Sequence, residues 1–441
     1  MHFLTHPLPV IIGTISLFLI GCADSAFVKR DIQKEVISER LELNAEKRFS
    51  GDDPQKEIDL LALQNLTARK AGEIALSHNA QFRADLTTLG IAEADTIEAS
   101  LLRNPRFDLI TAMGQKPFEF LLSLPAESFW QRPYRFAAAN SAYQQLAEGL
   151  IQNGLDVVRD AKVLHADLNL ADDKAKLGSE AVGLLSEISA LTDLRLRSGD
   201  ITELESLAAY AETGTAIEAE SRLKNDYKVA LERFKNVLGL SPTTTELGLV
   251  PNEPDLVDPG ELSTLVEKAT VNRPDLRSAE LGIQTALKKV DWEKSKFLSL
   301  FMVLLSMKEI GTYGLLTSPG VLVEVPIFNR NQAQISRAEA EVEQAIQRYF
   351  SVKQRVGFEV AESRALLIQA LETYKINKEQ VIDATRRSKE QALRQYHEGE
   401  VSYLFVLQQS RALIDAQMRS ADLKASVLKT RIQLQRNLGG E

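Results

Sequence analysis

Cysteine is almost absent from this chain: Cys22 is the single one in 441 residues. No disulfide can form within the chain, and with only five histidines a Cys/His zinc site is nearly excluded. Positive charge is not in excess either. Lys and Arg number 52 against 61 Asp and Glu, and a net charge of −9 argues against a nucleic-acid-binding surface. The 14 prolines and 23 glycines are few for this length and they cluster. The stretches between them have room for very long helices. Catalytic signatures are missing too: there is no glycine-rich phosphate loop, no Ser/His/Asp motif and no HExxH. His78, His165 and His397 are far apart in sequence and read as surface residues. Asp172-Asp173 and Glu339/Glu341/Glu343 read as solvated helical faces. No catalytic, cofactor-binding or metal-ligating residue is expected, and no cofactor.

What is there begins with a targeting segment. Val10 to Ile20 are apolar apart from Gly13, Thr14 and Ser16. The run is too short to span a membrane as a helix but fits a signal-peptide core. It ends in Leu19-Ile20-Gly21-Cys22, which resembles a bacterial lipoprotein processing box, although no Lys or Arg precedes the run. That resemblance implies cleavage after residue 21 and acylation of Cys22. Ala23 after it, rather than Asp, is the pattern that lets such lipoproteins pass to the outer membrane.

Residues 22–66 are polar and weakly patterned, and read as an N-terminal arm. A first repeat over 67–240 follows, then a proline-rich linker or equatorial segment over 241–262, then a second repeat over 263–441. Each repeat has a helix, turn-punctuated apolar segments, a very long helix, a glycine break and a last helix. Expected helices run from Thr67 to about Ser100, Phe129 to Leu196, Thr202 to Leu238, Leu262 to Ser295, Gln332 to Tyr396, and from Ser402 to Leu438-Gly439. A shift of 200 positions aligns Gly199, Leu204, Leu207, Leu223, Lys224, Leu238 and Gly239 with the same residues at 399, 404, 407, 423, 424, 438 and 439. A repeat this large is not a solenoid unit but a duplicated helix–hairpin–helix–helix module.

The long helices carry a heptad seam at Ile335, Ala338, Val342, Ala345, Tyr349, Val352 and Val356. A second seam runs through Leu404, Leu407, Ile414, Met418, Ala421, Ala425, Leu428 and Ile432, with Arg411 the misfit. Helices of this length need neighbours throughout, from their own chain or from other subunits. The strand-like segments 103–112, 117–125 and 318–328 alternate, as in Phe118, Phe120, Leu122 and Leu124 against Glu119, Leu121 and Ser123. The fourth, Phe297 to Met307, is almost wholly apolar and does not alternate. The strands therefore lie about 103–125 and 296–328. Four strands cannot close a barrel, and open edges in lipid are costly, so three chains with twelve strands are physically motivated.

At this point the chain resembles the outer-membrane efflux family, the TolC-like trimeric channels, and within it the CzcC-like cation-efflux branch. The resemblance rests on Asn272-Arg273-Pro274-Asp275-Leu276-Arg277-Ser278-Ala279-Glu280, on Val325-Pro326-Ile327-Phe328, on the Gly199 and Gly399 breaks and on the two Leu-Gly helix ends. In the first half it rests on Leu89-Gly90-Ile91-Ala92-Glu93-Ala94 before Leu102-Arg103-Asn104-Pro105. It implies a mainly helical homotrimer: a periplasmic α-barrel, and four strands per chain contributed to a 12-stranded outer-membrane β-barrel.

The resemblance also implies a passive conduit of a tripartite efflux system, heavy-metal cations being one substrate class. Its partners would be a periplasmic adaptor, an inner-membrane pump, commonly proton-driven, and outer-membrane lipid. Gly199, Asp200, Gly399 and Glu400 would be the adaptor-contacting tips. Some relatives narrow the tunnel with acidic residues after the second tip, where this chain has Phe405 and Gln408. A hydrophobic constriction by Phe405 is one reading there, and seam packing is the other. The alternative function from another class is a lipid-anchored periplasmic coiled-coil tether without a pore.

Overall fold

The computed structural model describes residues 63–111, 118–243, 247–297, 301–309 and 314–440. Cys22, the signal segment and most of the N-terminal arm lie outside the described residues. The chain begins with α1 (Ala68–His78) and α2 (Ala80–Ser100). Strands β1 (Arg106–Ile110) and β2 (Glu119–Pro125) lead into α3 (Glu127–Ser198) and α4 (Glu203–Val237). The second half repeats the order: α5 (Leu262–Asn272), α6 (Pro274–Ser295), β3 (Phe301–Glu309), β4 (Leu315–Val323) and α7 (Gln332–Ile376). A π-helical turn at Asn377–Val381 joins α7 to α8 (Ile382–His397), and α9 (Tyr403–Asn437) closes the chain. At the standard rise, α3 is roughly 110 Å long.

Several boundaries differ from expectation for visible reasons. The helix expected from Thr67 to Ser100 is two helices. Thr67 caps α1 by accepting from the Lys70 N–H, and Asn79 then ends α1 and caps α2 by accepting from the Phe82 N–H at 2.9 Å. The helix expected from Leu262 to Ser295 breaks at Arg273, where Pro274 forces the preceding residue into extended backbone. His78 and Asn272, the last residues of α1 and α5, lie 194 positions apart, against 200 for the later elements of the repeat.

The four strands form one antiparallel sheet in the order β1-β2-β3-β4, so the two hairpins meet between β2 and β3. The fourth expected segment, 297–307, is a strand over Phe301–Glu309, with 298–300 outside the described residues. β4 lies at Leu315–Val323, leaving Val325 and Ile327 beyond it, and β1 and β2 are shorter than the segments expected for them. Register explains the missing alternation. Leu109, Phe120, Met307 and Thr317 lie across from one another, as do Phe107, Leu122, Leu305 and Pro319, then Leu124, Val303 and Val321. That face is apolar from Phe301 to Met307, with Thr317 its hydroxyl. The other is mixed: Arg106, Asp108, Glu119, Ser123, Ser306, Lys308 and Ser318 stand among Ile110, Leu121, Met302, Leu304, Leu316 and Leu322. At Leu304, where β3 is apolar, polar character on this face comes from Ser123 of β2. Phe107, Leu109, Val303, Leu305 and Val321 are all exposed, and nothing among the described residues covers them. Pro319 is tolerated because β4 is an edge strand.

The helices pack as an elongated bundle in which α3 touches α4, α6, α1, α2 and α9. The long-helix core is built of Val356, Val360 and Leu367 of α7 against Val427 and Leu434 of α9 and Leu276 of α6. Of the expected seam, Ala338 and Val356 are buried within the chain, so this face is already occupied there. α4 is the least covered long helix: Leu204, Leu207, Tyr210, Ile217 and Val229 are all exposed. No helix among the described residues is long and apolar enough to cross a membrane, which says nothing of a β-barrel.

Candidate functional site

Two helix–helix turns are brought to the same end of the bundle. At the first, Gly199 has φ 81°; its N–H donates to the Leu196 carbonyl at 3.0 Å and the Asp200 N–H to Arg195 at 2.9 Å. At the second, Gly399 has φ 78°; its N–H donates to Tyr396 at 3.1 Å and the Glu400 N–H to Gln395 at 2.9 Å. The two ends superpose bond for bond. Both need glycine, since an L side chain pays for the left-handed region. A Cβ at either glycine would meet open space. The constraint on Gly199 and Gly399 is thus the turn itself, with no neighbour pressing on it.

Behind the tips lies one apolar cluster from both halves: Leu185, Ile188 and Ala209 with Ala392, Tyr396, Tyr403, Val406 and Leu407. The Arg195 guanidinium sits 4.1 Å from the Tyr396 ring centroid, tying one turn to the other. Burial, with Tyr396 alongside, pushes the Tyr403 phenol up to about 12. Asp200 and Glu400 are both exposed.

The turns differ in how the next helix starts. Thr202 and Glu205 form a reciprocal cap: the Thr202 N–H donates to Glu205 Oε2 at 2.9 Å and the Glu205 N–H to Thr202 Oγ1 at 3.3 Å. Ser402 holds the position equivalent to Thr202, but its side chain makes no capping bond. The reciprocal partner is gone because Phe405 stands where the repeat has Glu205. Phe405 is not packed into the seam within this chain. Tyr403, Val406 and Leu407 take the buried positions, leaving Phe405 40% exposed with Gln408 exposed one turn beyond. The seam misfit Arg411 is explained by its partner Glu212 on α4, to which its Nε donates at 2.6 Å.

At the other ends of α4 and α9 the duplication recurs. Gly239 (φ 69°) and Gly439 (φ 92°) make the same bond pair as the tips. Here, however, the backbone of the kinked short-helix pair presses close. A Cβ on Gly239 would meet the His78 carbonyl oxygen at 2.2 Å, and one on Gly439 the Asn272 carbonyl at 2.8 Å.

The Asn272-Arg273-Pro274-Asp275 motif is a buried ionic tie. Arg273, 1% exposed, grips Asp275 through Nε at 2.9 Å and Nη2 at 2.6 Å, and reaches Glu359 on α7 at 2.6 Å. Burial alone would lower the Arg273 value and raise that of Asp275. Their mutual bonds overcome it, so the guanidinium is held up and the carboxyl held down. His165, expected at the surface, is fully buried. Its Nε2 hydrogen-bonds the Leu66 carbonyl at 3.0 Å and Asn169 Nδ2 lies 3.2 Å from its Nδ1. Burial depresses its value. The signal sequence reading missed here is that His165 and Phe234 occupy core positions of α3 and α4, in ring contact at 5.9 Å. Among the described residues no group of three or more His, Cys, Asp or Glu is placed to hold a metal.

A solved structure of CusC aligns with a TM-score of 0.72 at 18% identity, covering 85% of this chain and 92% of that one. One of the channel OprN gives the same TM-score at 20% identity. Residues 265–440, nearly the whole second repeat, match the family model described as outer membrane efflux protein. Over its second repeat the chain is similar to the outer membrane efflux family. Among curated relatives, cobalt-zinc-cadmium resistance protein CzcC of Cupriavidus metallidurans is 20% identical over 85% of this chain and 90% of its own length. Probable outer membrane lipoprotein SilC of Salmonella typhimurium is 24% identical over 62% of this chain; that match spans 60% of SilC. The shared fold covers most of the chain, and the family match covers its second repeat.

Proposed function

We propose that three copies of this chain form the outer-membrane channel of a tripartite efflux system, a passive conduit without catalytic residues. The observation that carries this reading is the sheet: one apolar, uncovered face, and two edges, β1 and β4, without a partner among the described residues. Edge backbone in hydrocarbon is costly, and joining β1 of one copy to β4 of the next closes a ring of twelve strands. The uncovered face of α4 would meet a neighbouring copy in the same assembly. The turns at Gly199-Asp200 and Gly399-Glu400 would then form a ring of six tips, and we assign adaptor contact to them. Phe405 and Gln408, exposed one turn inside, are proposed as the constriction lining. Cys22 is proposed as a separate lipid anchor.

For cargo we favour heavy-metal cations, because relatives such as CzcC and CusC are named for cation resistance or efflux. The pump in the inner membrane would supply energy and selection. The decisive experiment is planar-bilayer conductance of the purified full chain, with its heat-modifiable gel mobility. Conductance from a heat-sensitive trimer is expected. A delipidated chain that is water-soluble and never conducts would replace the conduit with a periplasmic tether. Bulky substitution at Gly199 or Gly399 should leave trimer yield in outer-membrane fractions intact and reduce crosslinking to the adaptor. Normal crosslinking with normal efflux would reduce both glycines to plain turns.

A further inference from the structure

The chain has only two tryptophans, and both lie where the sheet meets the helices. Trp130 is in the first turn of α3, its ring 5.6 Å from that of Phe301, the first residue of β3. Trp292 is in the last turn of α6, with the Lys296 ammonium 3.9 Å from its ring centroid. Phe129 and Phe297 are exposed at the same level. Such a collar is what a membrane–water interface selects. Between α3 and α6 it encloses an open cleft of about 560 Å³ lined by Trp130, Tyr134, Asp291, Lys294, Ser295 and Phe297.

The lining has a definite chemistry. Asp291 and Lys294 are three residues apart on one helix face, hence about 5–6 Å apart at their bases. Their existing partners are weak surface ones: Lys288 at 3.9 Å from Asp291, and Glu339 at 3.2 Å from Lys294, all about half exposed. The Trp130 indole N–H is buried and has no hydrogen-bond partner among the described residues. An unmade bond of that kind is costly, and an acceptor arriving with a ligand would remove the cost.

We infer that this cleft seats a zwitterionic phospholipid headgroup of the periplasmic leaflet. The carboxylate of Asp291 takes the ammonium, and the Lys294 ammonium and Trp130 N–H take phosphate or ester oxygens. Tyr134 and Phe297 cover the glycerol and first methylenes. The two-carbon spacing of an ethanolamine headgroup suits opposite charges one helical turn apart. An anionic headgroup without an amine leaves Asp291 facing like charge. The site rests on the membrane-inserted reading above, since only that reading brings lipid to this collar.

The test uses full-length protein, delipidated in detergent and then offered equal amounts of a phosphatidylethanolamine and a phosphatidylglycerol of the same chains, with retained lipid counted by native mass spectrometry. Wild type should retain the ethanolamine lipid about tenfold better, the factor of one charge-assisted hydrogen bond. Asp291→Asn should erase that preference, and Trp130→Phe, which keeps the ring and removes the N–H, should lower retention of both lipids. Heat-modifiable mobility should be unchanged in both variants. Equal retention of the two lipids by wild type, or variants that behave as wild type, would overturn the site while leaving the conduit standing. Displacement of the lipid by millimolar inorganic phosphate alone would show a bare anion site and overturn it too. A wild-type chain without heat-modifiable mobility would sink the conduit reading first and this one with it.

Discussion

Arg411 and Glu212 lie 199 positions apart and meet across α9 and α4 just behind the tips, with Nε 2.6 Å from Oε1. The one residue that breaks the heptad rhythm of α9 is the one that holds α4 to it. Arg411 is half exposed, so the pair is worth little in absolute terms. A double-mutant cycle of Arg411→Ala with Glu212→Gln should give a coupling of about 0.5–1 kcal/mol. It should also speed hydrogen exchange in the first turns of α9. A coupling indistinguishable from zero would make the pair ornamental.

The four left-handed glycines should not respond alike. Alanine at Gly199 or Gly399 meets open space and should cost only the left-handed strain, about 1–2 kcal/mol. Alanine at Gly239 or Gly439 adds a collision with a backbone carbonyl, and should cost clearly more, about 3 kcal/mol or beyond. Thermal unfolding midpoints of the four variants decide it. Equal losses would show that the short-helix pair gives way.

Arg273→Leu strands Asp275 and Glu359 around a buried leucine. Arg355 and Arg436 stay near these carboxylates, so the loss should sit at the low end for a broken buried pair, about 3 kcal/mol. The Asp275 carboxyl is held below its ordinary 3.8 in the folded chain. Its contribution is therefore complete above about that pH and is lost as pH falls through the lower folded value. Wild-type stability should decline below about pH 4, and Arg273→Leu should flatten that decline. An unchanged acid limb in the variant would exclude this pair as its source.

His165 gives a second, separate pH limb. Its folded value lies below the ordinary 6.5, so the unfolded chain binds the extra proton first. Stability from this site is full above 6.5 and erodes as pH drops below it. The Leu66 carbonyl it holds belongs to the segment whose N–H bonds Gly248 at 2.8 Å. The protection factor of the Leu66 amide, with the intrinsic exchange rate divided out, should fall below about pH 6.5 in wild type. His165→Phe should remove the pH step at a constant cost of about 0.5–1.5 kcal/mol for one lost hydrogen bond, since the Val250 N–H still donates to the Leu66 carbonyl at 3.1 Å. A step that survives in His165→Phe belongs to another group.

The helical half of this fold was legible because it is written in local terms. Glycine breaks, leucine periodicity and the 200-position echo each act within a few residues of where they are read. Thr67 and Thr202 cap as their positions imply. What was not legible depends on partners distant in the chain. The faces of β3 emerge only when Leu304 is set beside Ser123 and Gly320. His165 could be recognised as buried only by knowing that Phe234 and Leu66 close over it. The π-helical turn at Asn377–Val381 has no glycine or proline to announce it. Phe405 was weighed as seam packing, yet its exposure follows from Val406 and Leu407 claiming the buried positions. Its real signature was its place opposite Glu205 in the repeat, where it costs the second turn a reciprocal cap.

The edges at β1 and β4, unpaired among the described residues, carry a consequence for inheritance. A single chain cannot settle in hydrocarbon with those edges open, so in the proposed assembly insertion and threefold association are one event. A cell making equal amounts of sound chain and chain unable to pair at one edge would build about one wholly sound ring in eight. Defects in the sheet edges should therefore behave as dominant, while loss of the same gene product altogether would be recessive.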